Sequence, residues 1–213
     1  MKKLLIVTCL LASAASTLPA SAVWLFGGGA CYTNQDTAAA HPWSAASLGV
    51  MEQSYFNVSE TLGVYTAATF SFVVSSHDGG AALDIGQYQA VAVNVLLGIG
   101  YQMMLAPSLT AIGGAGIYLG STTLTAGNQT LSSYYAGGFG VGIGLSLIYS
   151  FSINWGIGAN INAAFSFVNP GDTAPTMAAN GFSVFGGIGV SYFFTPALAE
   201  PRFSRFATAP TRR

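Results

Sequence analysis

The chain has 213 residues, of which 52% are hydrophobic and only 6% are charged. Soluble domains carry roughly a quarter charged residues, so this composition indicates a protein whose solvent is lipid. Every Lys and Arg lies near one of the two ends, and none lies between Val23 and Phe194. This distribution excludes a nucleic-acid binder, which needs a basic surface, and leaves a helical membrane protein without the basic loops that orient it.

The N-terminus is predicted to be a secretory signal. Lys2 and Lys3 precede an apolar run that is followed by small residues and by the sequence Ala20-Ser21-Ala22. A basic start, a short apolar core and an A-x-A site are typical of a cleaved signal peptide, here residues 1–22. An uncleaved anchor helix is the alternative, although the apolar run is short for a membrane span.

Residues 23–194 are predicted to form an all-β domain because they alternate with period two. The clearest stretch is 139–149, where large apolar residues alternate with glycine, serine and, at one position, Ile148. Glycine at every second position makes this stretch a poor membrane helix. A soluble β-sandwich would carry charged residues on the face of each strand that points to water. A transmembrane barrel instead has apolar side chains outside and small or polar ones inside, which is the pattern of this sequence.

Eight strands are predicted, an even number as in single-chain bacterial barrels. They cover residues 23–32, 46–56, 62–75, 88–104, 108–122, 134–149, 154–168 and 181–194. Short connections alternate with longer ones, which is the arrangement of periplasmic turns and external loops. The fold class is therefore a transmembrane antiparallel up-and-down β-barrel. Six or ten strands stay open, because the first strand is short and 108–122 loses its alternation at Gly113–Gly116, where a bulge is expected.

The strand pattern resembles the small bacterial outer-membrane barrels of the OmpA transmembrane, OmpX and OmpW type. Its most specific part is the segment from Gly189 to Phe194, with Tyr192 between them, which resembles the terminal-strand signal read by the barrel-insertion machinery. The resemblance implies a location in the bacterial outer membrane, with its lipids and the insertion machinery as partners. In that family the aromatic residue commonly ends the chain, whereas here 195–213 follow.

The interior of the barrel is predicted to be neutral and crowded. Small barrels are usually filled by side chains, and Tyr65, Tyr118, Phe185 and Phe193 are the expected fillers. Glu52 is expected inside the lumen or near a membrane interface, because a mid-depth position facing lipid would be costly. The candidate lumen-lining residues are Glu52, Asn94, Gln102, Asn154, Asn160 and Asn162.

No catalytic, cofactor or metal site is predicted. The two histidines, His41 and His77, lie in predicted external loops, and the sequence from His77 to Gly80 is typical of a solvated turn. Cys31 is the one cysteine that remains after the signal, and we expect it to pack as a small apolar residue. Scattered loop carboxylates are expected to be solvated rather than to bind cations.

Three functions fit this sequence. The first is a structural or surface-interaction role, in which external loops contact host molecules or neighbouring proteins. The second, implied by an OmpW-like resemblance, is a small channel for neutral or hydrophobic solutes. The third, a lipid-modifying enzyme, lacks its catalytic residues. Residues 195–213, with four arginines and several prolines and alanines, are expected to be a disordered periplasmic tail.

Overall fold

The computed structural model describes residues 22–35, 42–127, 134–167 and 180–194. The predicted signal at 1–22, except for Ala22, and the predicted tail at 195–213 lie outside the described residues. No helix in the described part of the chain is long and apolar enough to cross a membrane.

Eight long strands make up almost all of the described chain. In chain order they are β1 (Ala22–Gln35), β2 (Trp43–Asn57), β3 (Leu62–Asp78), β4 (Tyr88–Ala106), β5 (Leu109–Ala126), β6 (Tyr134–Ser150), β7 (Trp155–Phe167) and β8 (Asn180–Phe194). Each strand pairs antiparallel with the next, and β1 also pairs with β8, so the sheet closes on itself. Closure removes the free edges that an open sheet would expose.

The strands are staggered around the barrel, which tilts them relative to its axis. The stagger is seen by starting at Ser47 on β2 and stepping from each residue to its partner on the next strand. The path passes Cys31 on β1, continues around the barrel by way of β8, and returns to β2 at Asn57 instead of at Ser47. This displacement along one strand is the shear, and barrels of this kind have strands tilted by about 35–45°.

The outer surface is an apolar belt between two aromatic girdles. Large apolar side chains are half-exposed or more on every strand, for example Ile99 and Ile188, both 72% exposed. Near the short turns the girdle comprises Trp24, Tyr101, Tyr149, Trp155, Tyr192 and Phe194. At the other end it comprises Tyr32, Phe72, Phe139, Phe165, Phe167 and Phe182. Such a surface is stable only against hydrocarbon, with the aromatic rings at its two boundaries.

The connections differ in length at the two ends of the barrel. Residues 58–61, 107–108 and 151–154 make the short turns, whereas 36–42, 79–87, 127–133 and 168–179 make the long connections. At one long connection the chain reverses through Gly79 and Gly80, which both have positive φ. A short 3₁₀ turn, Ile85–Gln87, then follows, and the Asp84 carboxylate caps it by accepting from the Gly86 amide.

The predicted fold is confirmed, and the first strand is longer than expected, since it spans Ala22–Gln35. The bulge expected at Gly113–Gly116 is wrong. These residues pair in unbroken register with β4 and β6, because glycine and alanine weaken the sequence alternation without disturbing backbone hydrogen bonds. Register shifts occur instead at Met104/Ala106 and at Ala46/Ser47.

Candidate functional site

Within the described residues, many polar side chains converge in the interior of the barrel. The inward positions carry small, hydroxyl and amide side chains, with a few large rings between them. The polar members that are almost fully buried are Thr33, Gln35, Ser47, Gln53, Thr69, Ser71, Ser76, Asn94, Thr122, Ser146, Asn160, Asn162, Ser166, Ser183 and Ser191. None of these side chains carries a charge at neutral pH. Most of them hydrogen-bond to neutral partners, whereas the buried polar side-chain atoms of Gln35, Gln53 and Ser191 have no partner.

The side chain of Tyr65 crosses the lumen over a row of glycines. Gly100, Gly114 and Gly144 pair with one another on β4, β5 and β6. A Cβ atom at Gly114 would lie 2.4 Å from Tyr65 Cγ, and one at Gly144 would lie 2.3 Å from its Oη. Because any larger residue would collide with the ring, the glycine row is a trough that the Tyr65 side chain fills.

The Tyr65 hydroxyl ends in a cluster of amides on β7. Its Oη donates to Asn162 Oδ1 at 2.8 Å and accepts from Asn160 Nδ2 at 2.7 Å. Asn160 Nδ2 also donates to Ser146 Oγ at 3.0 Å, and Asn162 Nδ2 donates to Asn160 Oδ1. This Tyr65 cluster therefore ties β3 to β6 and β7 across the interior.

A second cluster surrounds Tyr118, nearer the long connections. Tyr118 Oη donates to Asn94 Oδ1 at 2.5 Å and lies 3.1 Å from Ser183 Oγ. Asn94 Nδ2 in turn donates to Cys31 Sγ at 3.1 Å and to Thr69 Oγ1 at 3.2 Å. The Tyr118 cluster joins β1, β3, β4, β5 and β8.

Apolar side chains fill the space around the two clusters. The Phe185 ring, 1% exposed, packs 5.9 Å from the Tyr118 ring, centroid to centroid. Near the long connections, buried Trp43 packs with Val73 and Leu124, and its Nε1 donates to Ser76 Oγ at 2.7 Å. Rings and hydrogen-bonded amides of the described residues therefore fill the lumen at the levels of the two clusters.

The structure brings together three of the predicted lumen-lining residues. Asn94, Asn160 and Asn162 are buried inside the barrel, as are the predicted fillers Tyr65, Tyr118 and Phe185, with Phe193 packed against them. Gln102 also occupies an inward position of β4, near the short turns, where its buried Oε1 has no hydrogen-bond partner.

Two of the candidate lumen-lining residues, Asn154 and Glu52, lie elsewhere in the structure, and the alternative expectation for Glu52, a position near a membrane interface, stays a prediction. Asn154 lies in the turn before β7 and donates to the Phe193 carbonyl at 2.9 Å, so it closes a turn instead of lining the lumen. Glu52 lies on the outer face, since its chain neighbours Met51 and Gln53 are both buried in the interior and strand residues alternate between faces. Its strand partners Phe26 and Ala68 also face outward.

The hydroxyl residues that complete the Tyr118 cluster are not among the residues predicted to line the lumen. Thr33 Oγ1 lies 3.1 Å from Thr122 Oγ1 and 3.2 Å from Ser183 Oγ, and Ser47 Oγ lies 2.7 Å from Ser71 Oγ. The period-two alternation could have predicted that they line the lumen, because each lies on the face of its strand that carries the small and polar residues.

The terminal strand ends at Phe194, as the segment from Gly189 to Phe194 predicts. The Tyr192 ring lies 4.7 Å from the Phe194 ring and 4.8 Å from the Trp155 ring, which places these aromatics in the girdle near the short turns. The use of Gly189, Tyr192 and Phe194 as an insertion signal stays a prediction.

Residues with other chemistry are dispersed. His77 and Asp78 end β3 beside the Gly79-Gly80 turn. Cys31 is buried as a free thiol within the Tyr118 cluster. Within the described ranges, no three His, Cys, Asp or Glu side chains lie close enough together to hold a metal ion.

Comparison with known proteins supports the architecture. The sequence matches no protein-family profile and no curated protein. Among solved structures, Neisserial surface protein A is similar with a TM-score of 0.52 and 12% identity, over 82% of this chain and 97% of that protein. OprG from Pseudomonas aeruginosa gives a TM-score of 0.51 and 14% identity, over 82% of this chain and 96% of that one.

AlkL, a further outer-membrane protein, is similar with a TM-score of 0.50 and 13% identity, over 85% of this chain and 93% of its own. At these identities the likeness concerns the fold. The chain therefore has the fold of the small bacterial outer-membrane barrels, and its apolar belt and girdles agree with a location in that membrane.

Proposed function

We propose that the protein is a closed outer-membrane anchor whose long connections make contacts at the cell surface, and that it catalyses no reaction. The observation that carries this proposal is the filled interior. The Tyr65 and Tyr118 clusters, with Phe185 packed between side chains of both, occupy the lumen at successive levels. A solute that moved along the axis would have to break both clusters.

The hydrogen bonds of the interior favour a rigid support. Each buried hydrogen bond contributes about 0.5–1.5 kcal/mol net, and the two clusters join strands that are not neighbours in the sheet, such as β3 and β7. Cross-lumen bonds of this kind fix the barrel's shape in addition to the backbone pairing. A barrel with a fixed shape holds the strand ends that flank its four long connections at defined positions relative to one another.

The partner of these connections is predicted to be a polar surface without strong negative charge. The connections 36–42, 79–87, 127–133 and 168–179 contain Asp36, Asp84 and Asp172 and no Lys or Arg. Host molecules or neighbouring surface proteins with neutral or basic surfaces fit this charge. Polyanions do not fit it, because no cation in the connections would pair with them.

Solute uptake by proteoliposomes tests the proposal. Vesicles containing the refolded wild-type protein are expected to take up small neutral sugars no faster than protein-free vesicles. The double variant Tyr65→Ala/Tyr118→Ala, which removes the centre of each cluster, serves as the opened control and is expected to admit them. Uptake by the wild-type protein at the rate of the double variant would assign a channel function instead.

A further inference from the structure

A groove runs along the outer face of β5, in the half of the barrel near the short turns. Its floor consists of the outward residues Ala111, Gly113 and Ala115, and the cavity has a volume of about 450 Å³. This volume lies within the range of about 300–1,000 Å³ that is usual for sites that hold small molecules. We call this feature the β5 groove.

Large apolar side chains form both walls of the β5 groove. The residues that pair with the three floor residues are Met103, Tyr101 and Ile99 on β4 and Leu147, Leu145 and Ile143 on β6. All six are between 45% and 72% exposed, so they stand up beside a floor of small residues. The backbones of the two walls are separated by two strand spacings, about 10 Å, so the groove is one strand wide.

The β5 groove extends across about one leaflet of the membrane. It begins two residues after Leu109, which pairs with the girdle residue Tyr149, and it ends at the half-exposed side chain of Ile117. From Ala111 to Ala115, four steps of about 3.4 Å on a strand tilted by about 40° rise roughly 10 Å. This rise is close to half of an apolar belt about 25 Å tall. The groove therefore reaches from the interface at the short turns to about the middle of the membrane.

The shape of the β5 groove favours a hydrocarbon chain over another membrane protein. Small residues promote contacts between transmembrane proteins where they let two backbones approach each other. Here the walls on both sides keep the backbone of a partner away from the floor. A transmembrane helix, about 10–12 Å across, is too wide to enter a groove whose walls have backbones about 10 Å apart. An extended methylene chain has no side chains and can lie on the floor.

We propose that the β5 groove binds one acyl chain of a phospholipid in the leaflet on the side of the short turns. A chain in the groove contacts the protein on three sides, whereas a chain on a flat part of the belt contacts it on one, so it gains more dispersion contacts. Its ester group lies at the interface near Tyr101, and its methyl end lies near Ile117. No Lys or Arg lies between Val23 and Phe194, so the barrel offers no cation to a phosphate. The site therefore recognises the acyl chain and not the headgroup.

Photocross-linking with a lipid probe tests this site. The refolded protein is placed in phosphatidylcholine vesicles that contain a small fraction of the same lipid with a diazirine in one acyl chain, and mass spectrometry of peptides locates the label. We expect the label to concentrate on residues 99–103 and 111–117, compared with outward residues of β1 at the same depth. A diazirine near the ester group should label the protein near Tyr101, and one near the methyl end should label it near Ile117.

Gly113→Leu is the variant that fills the β5 groove, because an added Cβ atom there has its nearest contact at 4.0 Å. Gly28→Leu is the matched control, since Gly28 lies on the outer face of β1, across the barrel, and a Cβ atom there would meet no atom within 4 Å. Heat-dependent gel mobility verifies that each variant is folded.

Gly113→Leu is expected to lower the labelling of the groove to that of the rest of the belt, and Gly28→Leu is expected to leave it unchanged. Equal labelling all around the belt, or labelling of the groove that Gly113→Leu does not lower, would overturn the proposal. Labelling of the groove below that of the rest of the belt would also overturn it, because a second copy of the chain or another protein would then cover the site.

Discussion

Removal of the Tyr65 hydroxyl isolates the contribution of the Tyr65 cluster. Tyr65→Phe keeps the ring in its glycine trough and deletes the oxygen that donates to Asn162 Oδ1 at 2.8 Å and accepts from Asn160 Nδ2 at 2.7 Å. Asn160 keeps its bond to Ser146 Oγ. The buried Asn162 Oδ1 loses its donor, so we expect the unpaired Asn162 to account for most of the decrease in the free energy of unfolding.

The magnitude follows from these bonds. Two neutral hydrogen bonds contribute about 0.5–1.5 kcal/mol each, and a buried acceptor without a donor costs about 1–3 kcal/mol. We therefore expect Tyr65→Phe to lower the free energy of unfolding by about 2 kcal/mol. Urea titration of the protein folded into lipid vesicles, followed by tryptophan fluorescence, measures this difference. An unchanged m-value would show that stability, and not the extent of unfolding, has changed.

Tyr101→Phe is the matched control. Tyr101 lies on β4 on the outer face, is 50% exposed and belongs to the aromatic girdle. A substitution at such a surface position is expected to change stability by about 0.5 kcal/mol or less. Equal destabilisation by Tyr65→Phe and Tyr101→Phe would show that the hydrogen bonds across the lumen do not support the fold.

Three further predictions concern the trough, the buried thiol and the topology. Gly114→Ala puts a Cβ atom 2.4 Å from Tyr65 Cγ, so urea unfolding should show a loss of about 1–3 kcal/mol, whereas Gly113→Ala, whose nearest contact is 4.0 Å away, should be near neutral. Cys31, 5% exposed, should react with a maleimide only after the barrel unfolds, and rapid labelling of the folded protein would contradict its position in the lumen. An epitope inserted within 168–179 should bind antibody on intact cells and one within 151–154 should not; the reverse result would invert the barrel.

The sequence predicts the strands well because lipid-facing and lumen-facing residues alternate along each strand of a transmembrane barrel. Stretches such as 139–149 have large apolar residues on one face and glycine, serine and the buried Ile148 on the other, and these residues pair in regular register. The inward positions of Asn94, Asn160 and Asn162 follow from the same alternation. Strand ends are less predictable, and Asn154 lies in a turn because β7 begins one residue later, at Trp155.

The contacts across the lumen are not contained in the pattern of any single strand. Tyr65 meets Asn160 and Asn162 because the shear of the closed sheet sets which residues of β3 and β7 lie on the same level. The alternation also does not predict the orientation of Glu52. On this part of β2 the apolar residues Met51 and Tyr55 lie on the inward face, so the apolar residues do not identify the outward face.

Single-channel recording tests the claim that side chains close the interior of the barrel. Refolded wild-type protein in a planar lipid bilayer is expected to show no discrete openings, after a heat-dependent gel shift has verified folding. The Tyr65→Ala/Tyr118→Ala variant, with both clusters removed, is expected to conduct under the same conditions. Reproducible openings of the wild-type protein would contradict the claim and show that water and ions pass the two clusters.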